Sequence, residues 1–322
     1  MGDYVNILIM GISKSGKTSI KKVVFEQMLP YATYFLEPTT QFETKEISNY
    51  CLCDLSVTEV PSTFILSKAT EEEKQLIENC TALIYVVDMQ GNSKLAMDYF
   101  KDKIVPLLSK YNQITLSVLF HKSDNVGINP NEGYIKEKQI KSTQSSFLSE
   151  LNKATPGTKV DFYFTSLYDY SLFESFSCIF QINMQKNYYF SGLINSFAIK
   201  SKFEKTYLFD YVNKIYLATN STPGEKSLFS SCLEAINNLY ELSKNYSNEE
   251  DNVINQNCKS IFTLNNFSKN NDSTYLLYVA FLFNNLVLVG VINQKYYEKP
   301  KLMEYNVDVF KAGIQEIIQQ EK

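Results

Sequence analysis

The stretch VNILIMGISKSGKTSI, residues 5–20, decides the fold. Its first six residues, rich in branched apolar side chains, read as a buried strand. The next eight, Gly11 to Thr18, match G-x-x-x-x-G-K-[ST] in full and lead into a segment of helical spacing. Gly11 and Gly16 let the chain curl so that backbone N–H groups point inward at an anion. Lys17 is placed to reach the outer phosphates of a nucleotide, Thr18 to bind Mg²⁺, and Ser13, Lys14, Ser15 and Ser19 to complete the cradle. A glycine-rich turn matching by chance would not need a strand before it and a helix after it. The loop alone does not choose between ATP and GTP.

Working outward, the first half alternates short apolar runs with longer mixed ones. TALIYVVD (81–88), ITLSVLF (114–120) and VDFYFTS (160–166) join residues 5–10 as buried strands. Helical spacing covers Lys17 to Met28, Glu71 to Asn79, Ser93 to Lys110, Asn131 to Asn152 and Ser171 to Met184. That order predicts an α/β domain, a mostly parallel sheet with helices on both faces. After Asn187 the pattern changes to a helix from Tyr189 to Lys200, a hairpin of KTYLFDYV and KIYLATN, and a helix from Glu225 to Lys244. A polar loop, NYSNEEDNVINQN, follows, then strands around KSIFTL, TYLLYVAFLF and LVLVGVIN and a helix from Pro300 to Gln319. This predicts an α+β second domain. TYLLYVAFLF suggests an exposed apolar edge, hence poor solubility without a partner. A length of 322 residues suits two domains, and 44% hydrophobic residues suffice for two cores.

Composition narrows the function. A net charge of −4 argues against nucleic acid as a partner. All 31 basic residues are lysine, so the chain cannot supply an arginine finger. The six cysteines form no C-x-x-C pair. Cys51 and Cys53, in an apparent strand, read as core thiols rather than a metal site. The sequons at Asn245 and Asn271 mean nothing without a secretory signal. No secretory leader, membrane-length apolar run, myristoylation signal at Met1-Gly2 or prenylated cysteine is evident, which predicts a cytosolic protein attached to membranes only through partners.

HKSD, His121 to Asp124, ends the run ITLSVLF where Asn-Lys-x-Asp ends its strand in Ras-like proteins. Asp124 can accept hydrogen bonds from guanine N1 and its 2-amino group, a pair adenine lacks, so it points to GTP/GDP. Lys122 would lie along the base. His121, the single histidine, reads as a loop brace rather than a general base. Ser166 and Leu167, just past the last strand of this half, sit where a third base-contacting loop belongs.

With these motifs, KSGKTSIKKVVFEQM, the switch-like TYFLEPT (33–39), FYFTSLYDYSLFESFS (162–177) and FEKTYLFDYVNKIYLATNSTP (203–223) resemble the Rag GTPase family, in its RagC/RagD subclass, over nearly the whole chain. The resemblance implies a Ras-like P-loop G domain at residues 1–186 and a roadblock/longin-like dimerisation domain at 187–322. It implies a heterodimer with a RagA/RagB-type subunit that relays amino-acid sufficiency to target-of-rapamycin complex 1. It further implies recruitment from the cytoplasm to lysosome or vacuole by a Ragulator-like scaffold, and a GTPase-activating protein. Thr39 matches the switch threonine that meets Mg²⁺, and Thr33 opens the same segment.

The departure is VTEVPST, residues 57–63. Glu59 stands for the usual aspartate, as a support for Mg²⁺-bound water. Ser62 stands for the glycine that senses the γ-phosphate, and Thr63 for the glutamine that orients water. No catalytic residue is assigned. Two readings follow: a switch with very slow intrinsic hydrolysis, and a nucleotide-loaded scaffold subunit that does not cycle. A P-loop nucleotide kinase or ATPase is disfavoured by Asp124 and the lack of an arginine-bearing lid.

Overall fold

A computed structural model describes residues 4–125, 130–155, 157–184, 187–220, 226–246, 258–264 and 274–319. The Met1-Gly2 signal, the sequon at Asn271 and most of the polar loop at 245–257 lie outside the described residues. The chain divides into two compact units, Asp3–Ser175 and Phe176–Lys322. The division falls within a helix, earlier than residue 186.

The first unit is built on a six-stranded sheet. β1 (Tyr4–Gly11), β3 (Cys53–Glu59), β4 (Ala82–Asp88), β5 (Thr115–His121) and β6 (Val160–Thr165) run parallel, and β2 (Glu43–Tyr50) pairs antiparallel with β3 at the edge. The order is β2-β3-β1-β4-β5-β6. β1 and β4 are central and almost wholly buried, so they read as continuous apolar runs. The carboxyl ends of β1, β3, β4, β5 and β6 carry the loops of interest, where ligands sit in open α/β sheets.

Helices α1 (Lys17–Phe25), α2 (Glu71–Glu78), α3 (Ser93–Tyr99), α4 (Val105–Lys110) and α5 (Pro130–Ala154) connect the strands, and α6 (Ser171–Asn183) follows β6. α1 stops before the expected Met28, with Gln27 at φ 55°. The single helix expected over Ser93–Lys110 is interrupted by a π-helical turn, Phe100–Ile104. Pro106 has no N–H to give the carbonyl four residues back, so the ladder changes register just before it. Cys51 lies in the turn after β2 at φ 50° rather than in a strand, while Cys53 opens β3. Both are buried. In the core, Tyr85 places its ring 6.0 Å from those of Tyr99 and Phe147 and 5.6 Å from Phe100. Its hydroxyl donates to Ala96 O at 2.6 Å, which pairs the one polar atom it buries.

The second unit has a five-stranded antiparallel sheet, β8-β7-β11-β10-β9. Its strands are β7 (Phe203–Asp210), β8 (Ile215–Thr219), β9 (Lys259–Leu264), β10 (Tyr275–Phe281) and β11 (Leu286–Asn293). Helices α7 (Asn187–Ser201), α8 (Lys226–Tyr246) and α9 (Pro300–Gln319) complete it. Phe197 of α7 meets Phe310 of α9 with ring centroids 4.8 Å apart. The apolar run expected to expose an edge is an interior strand: β10 lies between β9 and β11, and its last five residues are buried. Among the described residues, no helix is long and apolar enough to cross a membrane.

Gly290 on β11 lies under the ring of Phe203, where a Cβ would come within 2.6 Å. That ring is itself packed on Phe197, centroids 5.4 Å apart, and cannot swing away. Gly290→Ala should therefore destabilise this unit by about 1–3 kcal/mol, read as a lower urea midpoint at unchanged slope.

Candidate nucleotide-binding site

β1 delivers the chain to Gly11 beside β4. A Cβ there would lie 2.6 Å from Val86 O, so only glycine lets the strands close this tightly. The loop turns at Gly16, the residue before α1, with φ 103°. Gly16 rests on the ring of His121: a Cβ would sit 2.6 Å from Cδ2. The N–H groups of the first turn of α1 thus face a cavity of about 730 Å³ at the carboxyl end of the sheet. Lys17, 6% exposed, folds back so that Nζ donates to Gly11 O and Ile12 O, both at 3.1 Å. Burial lowers its pKa, and Glu59 opposes that shift. The Ser15 hydroxyl is buried beside it without a hydrogen-bond partner.

At the start of α1, Thr18 and Thr39 converge. Thr18 Oγ1 and Thr39 Oγ1 are 3.0 Å apart, and they donate to Glu59 Oε1 at 2.7 and 2.8 Å. Glu59 ends β3 and is 1% exposed. Its Oε2 accepts no hydrogen bond, with Lys21 Nζ 3.6 Å away. Among the described residues, no three His, Cys, Asp or Glu side chains cluster as a metal site. The hydroxyls and the buried carboxylate are hard oxygen donors, and this set suits Mg²⁺ completed by phosphate and water.

The side of the cavity lined by His121, Lys122 and Asp124 is tied across β5 and β6. His121 pairs with Thr165 in register, and its Nδ1 lies 3.0 Å from Thr165 Oγ1. Lys122, at φ 61°, donates from Nζ to Lys14 O at 2.9 Å and to Asp88 Oδ2 at 2.5 Å, linking three loops. Ser166 Oγ donates to Asp124 Oδ1 and accepts from Tyr168 N at 3.0 Å, which fixes the exposed carboxylate at the cavity rim.

The cavity wall includes Ser13, Lys14, Ser15, Gly16, Lys17, Thr18 and Ser19. Thr33, Thr39, Ser62, His121, Lys122, Asp124 and Leu167 line it too. Gly11 and Ser166 act one layer behind it. Thr33 reaches the wall, but its hydroxyl donates to Pro30 O at 2.7 Å. Thr63 is exposed and is not among the lining residues, so no side chain at the glutamine position enters the cavity.

Sequence reasoning did not find Tyr34, Leu36, Glu37, Pro38, Gln90 or Tyr168 in the wall. The segment TYFLEPT carried a signal for the first four. Gln90 had none. Tyr34, on the 3₁₀ turn Pro30–Phe35, and Tyr168 join hydroxyl to hydroxyl at 2.6 Å. This bridge spans two loops that flank the same cavity. Tyr168→Phe should speed release of a fluorescent GDP analogue by about two- to tenfold, the worth of one hydrogen bond, measured by stopped-flow chase.

Burial holds the His121 pKa down from 6.5 to about 4; Lys122 adds to the shift, and Asp124, Asp88 and Asp169 oppose it. The unfolded chain takes up a proton near pH 6.5 that the folded chain refuses until about pH 4. Stability is therefore full above pH 6.5 and falls as pH drops through that window, by on the order of 3 kcal/mol in total. Urea unfolding at pH 7.5 and 5 should show this slope in the wild type and its loss in His121→Asn.

The family model "Gtr1/RagA G protein conserved region" matches residues 6–239. The chain is 29% identical over 316 residues to Ras-related GTP-binding protein C of Mus musculus, covering 97% of this chain and 77% of that one. It is 31% identical over 330 residues to GTP-binding protein GTR2 of Saccharomyces cerevisiae, covering 97% and 92%. To Ras-related GTP-binding protein A of Dictyostelium discoideum it is 24% identical over 176 residues, 54% of this chain and 56% of that one. The phosphate-loop motif after β1, Asp124 at the rim of the same cavity, and likeness over 97% of this chain to the C and GTR2 proteins agree: the chain belongs to the Gtr/Rag family of guanine-nucleotide-binding proteins, on its RagC/Gtr2 side.

Proposed function

We propose that this chain is the RagC/D-type half of a heterodimer with a RagA/RagB-type subunit, and that it holds GTP or GDP as a switch whose own hydrolysis is very slow. The observation that carries the second part is the contrast within one cavity. Lys17, Thr18, Thr39 and Asp124 converge on it, while Thr63 stays outside.

In this reading the first-turn N–H groups and Lys17 bind the phosphates, Lys17 exchanging its two loop carbonyls for phosphate oxygens. Asp124, aligned by Ser166, accepts from the guanine edge, and Leu167 flanks the base. Thr18 and Thr39 would hold Mg²⁺, supported by Glu59. Bound Mg²⁺ would neutralise charge on the β- and γ-phosphates. Thr63, outside the cavity wall, fixes no attacking water there, and with no arginine in the sequence nothing supplies a finger. A GTPase-activating protein would provide both.

Residues 1–186 would form the G domain and 187–322 the roadblock/longin-like dimerisation domain. Leu302, Tyr305 and Val309 support the latter as an exposed apolar stripe along α9, 53–64% exposed. The heterodimer would relay amino-acid availability to target-of-rapamycin complex 1 from a Ragulator-like scaffold on lysosome or vacuole. Ser62 in the wall favours a second reading, a guanine-loaded scaffold that does not cycle, because a Cβ restricts the peptide that senses the γ-phosphate.

Single-turnover release of phosphate from [γ-³²P]GTP tests both. The switch predicts a rate of about 10⁻⁴ s⁻¹ or below, abolished with nucleotide retention in Lys17→Ala. Retained nucleotide with no phosphate released leaves the scaffold.

A further inference from the structure

We propose that a second cavity of the first unit, separate from the nucleotide cavity, is a docking groove for an acidic segment of a partner protein, one that carries an apolar side chain between carboxylates. The cavity measures about 510 Å³. Phe64, Ile65, Leu66 and Pro106 give its apolar part. Lys74, Lys103 and Lys110 share the wall with one carboxylate, Asp102. In a chain of net charge −4 this is a local excess of positive charge beside exposed apolar surface. Apolar burial would supply affinity there, and the ammonium groups would select a partner of opposite sign.

The apolar part is held before anything binds. Phe64 meets Phe42 edge to face at 5.2 Å, and its N–H donates to Pro61 O at 3.1 Å. Ile65 is left 40% exposed. The π-helical turn Phe100–Ile104 keeps its two end residues in the core and puts Asp102 and Lys103 into the wall. Lys103 is half-buried and makes no ion pair among the described residues. Lys74 pairs with Glu71 Oε1 at 2.6 Å, but that carboxylate is 84% exposed and outside the wall, so the pair is weak and an incoming carboxylate can replace it. Lys103 and Lys110 start seven residues apart with Pro106 between them. At about 1.5 Å per residue that is a span of roughly 10 Å, so positive charge is laid along a line with an apolar step in its middle. An extended chain covers the span in about three residues. Carboxylates about three positions apart around an apolar residue complement that order. A concave wall of this volume accepts a side chain, which a flat lipid surface does not offer.

Selection from a random peptide library against the full-length protein, with Lys103→Glu as the counter-selecting protein, tests this. Peptides with paired acidic residues around an aliphatic or aromatic one should be enriched, and a selection without that motif overturns the proposal. The enriched peptide, labelled with fluorescein, should bind Lys103→Glu about tenfold more weakly. Lys301→Glu, the same charge change on α9, should leave its affinity unchanged. Equal weakening by both variants would report net charge and not this groove, and would overturn the assignment. Hydrogen exchange on the wild type needs no variant to fold: the peptide should slow exchange at residues 64–67 and 102–110, and protection confined to other segments overturns the assignment. Vesicles containing phosphatidylserine test the other occupant. If they capture the wild type and not Lys103→Glu while no peptide binds, the groove faces a membrane and the proposal fails.

Discussion

The nucleotide unit is organised around a buried carboxylate. Glu59, at the end of β3, takes hydrogen bonds from Thr18 at the start of α1 and from Thr39 on the loop before β2, with Lys21 of α1 on its far side. A buried carboxylate is costly unless paired and hydrogen-bonded. The chain therefore has to bring these three segments together wherever β3 ends. β3 in turn lies parallel to β1, and β1 delivers Gly11 and the phosphate loop. The same contacts that offset the burial of Glu59 place two hydroxyls at the end of the cavity where α1 begins.

A second constraint holds the loop from below. Gly16 can turn at φ 103° only because it carries no side chain, and the ring of His121 fills the space a Cβ would need. An asparagine at this position would brace the loop with an amide. Here an imidazole does so by shape and by its partner Thr165. The role read from the sequence, a brace rather than a base, fits a ring that is 1% exposed and stays neutral well below pH 6.5.

Much of this was legible in the sequence because it rests on local pattern. Apolar runs marked β1, β4, β5 and β6, and the glycine spacing with HKSD marked both ends of the site. What escaped depends on pairing between distant residues or on backbone detail. The edge hairpin of β2 and β3 gives a mixed pattern, since ETKEISNY is largely exposed, and Cys51 belongs to its turn. The π-helical turn before Pro106 has helical spacing and looks like plain helix. TYLLYVAFLF reads as sticky, but composition does not say that two other strands flank it. Tyr34 and Tyr168 lie 134 residues apart and are both exposed, so no periodicity links them.

The tyrosine bridge also separates two physical regimes at the mouth of the cavity. Lysine contacts to a phosphate chain weaken as salt rises, because mobile ions screen exposed charges over about 10 Å at 0.1 M ionic strength. A hydrogen bond between two phenols involves no net charge and is indifferent to that screening. Ionic strength would therefore govern how readily a nucleotide is drawn in. The closing of the loops behind it would depend on geometry and on competition from water.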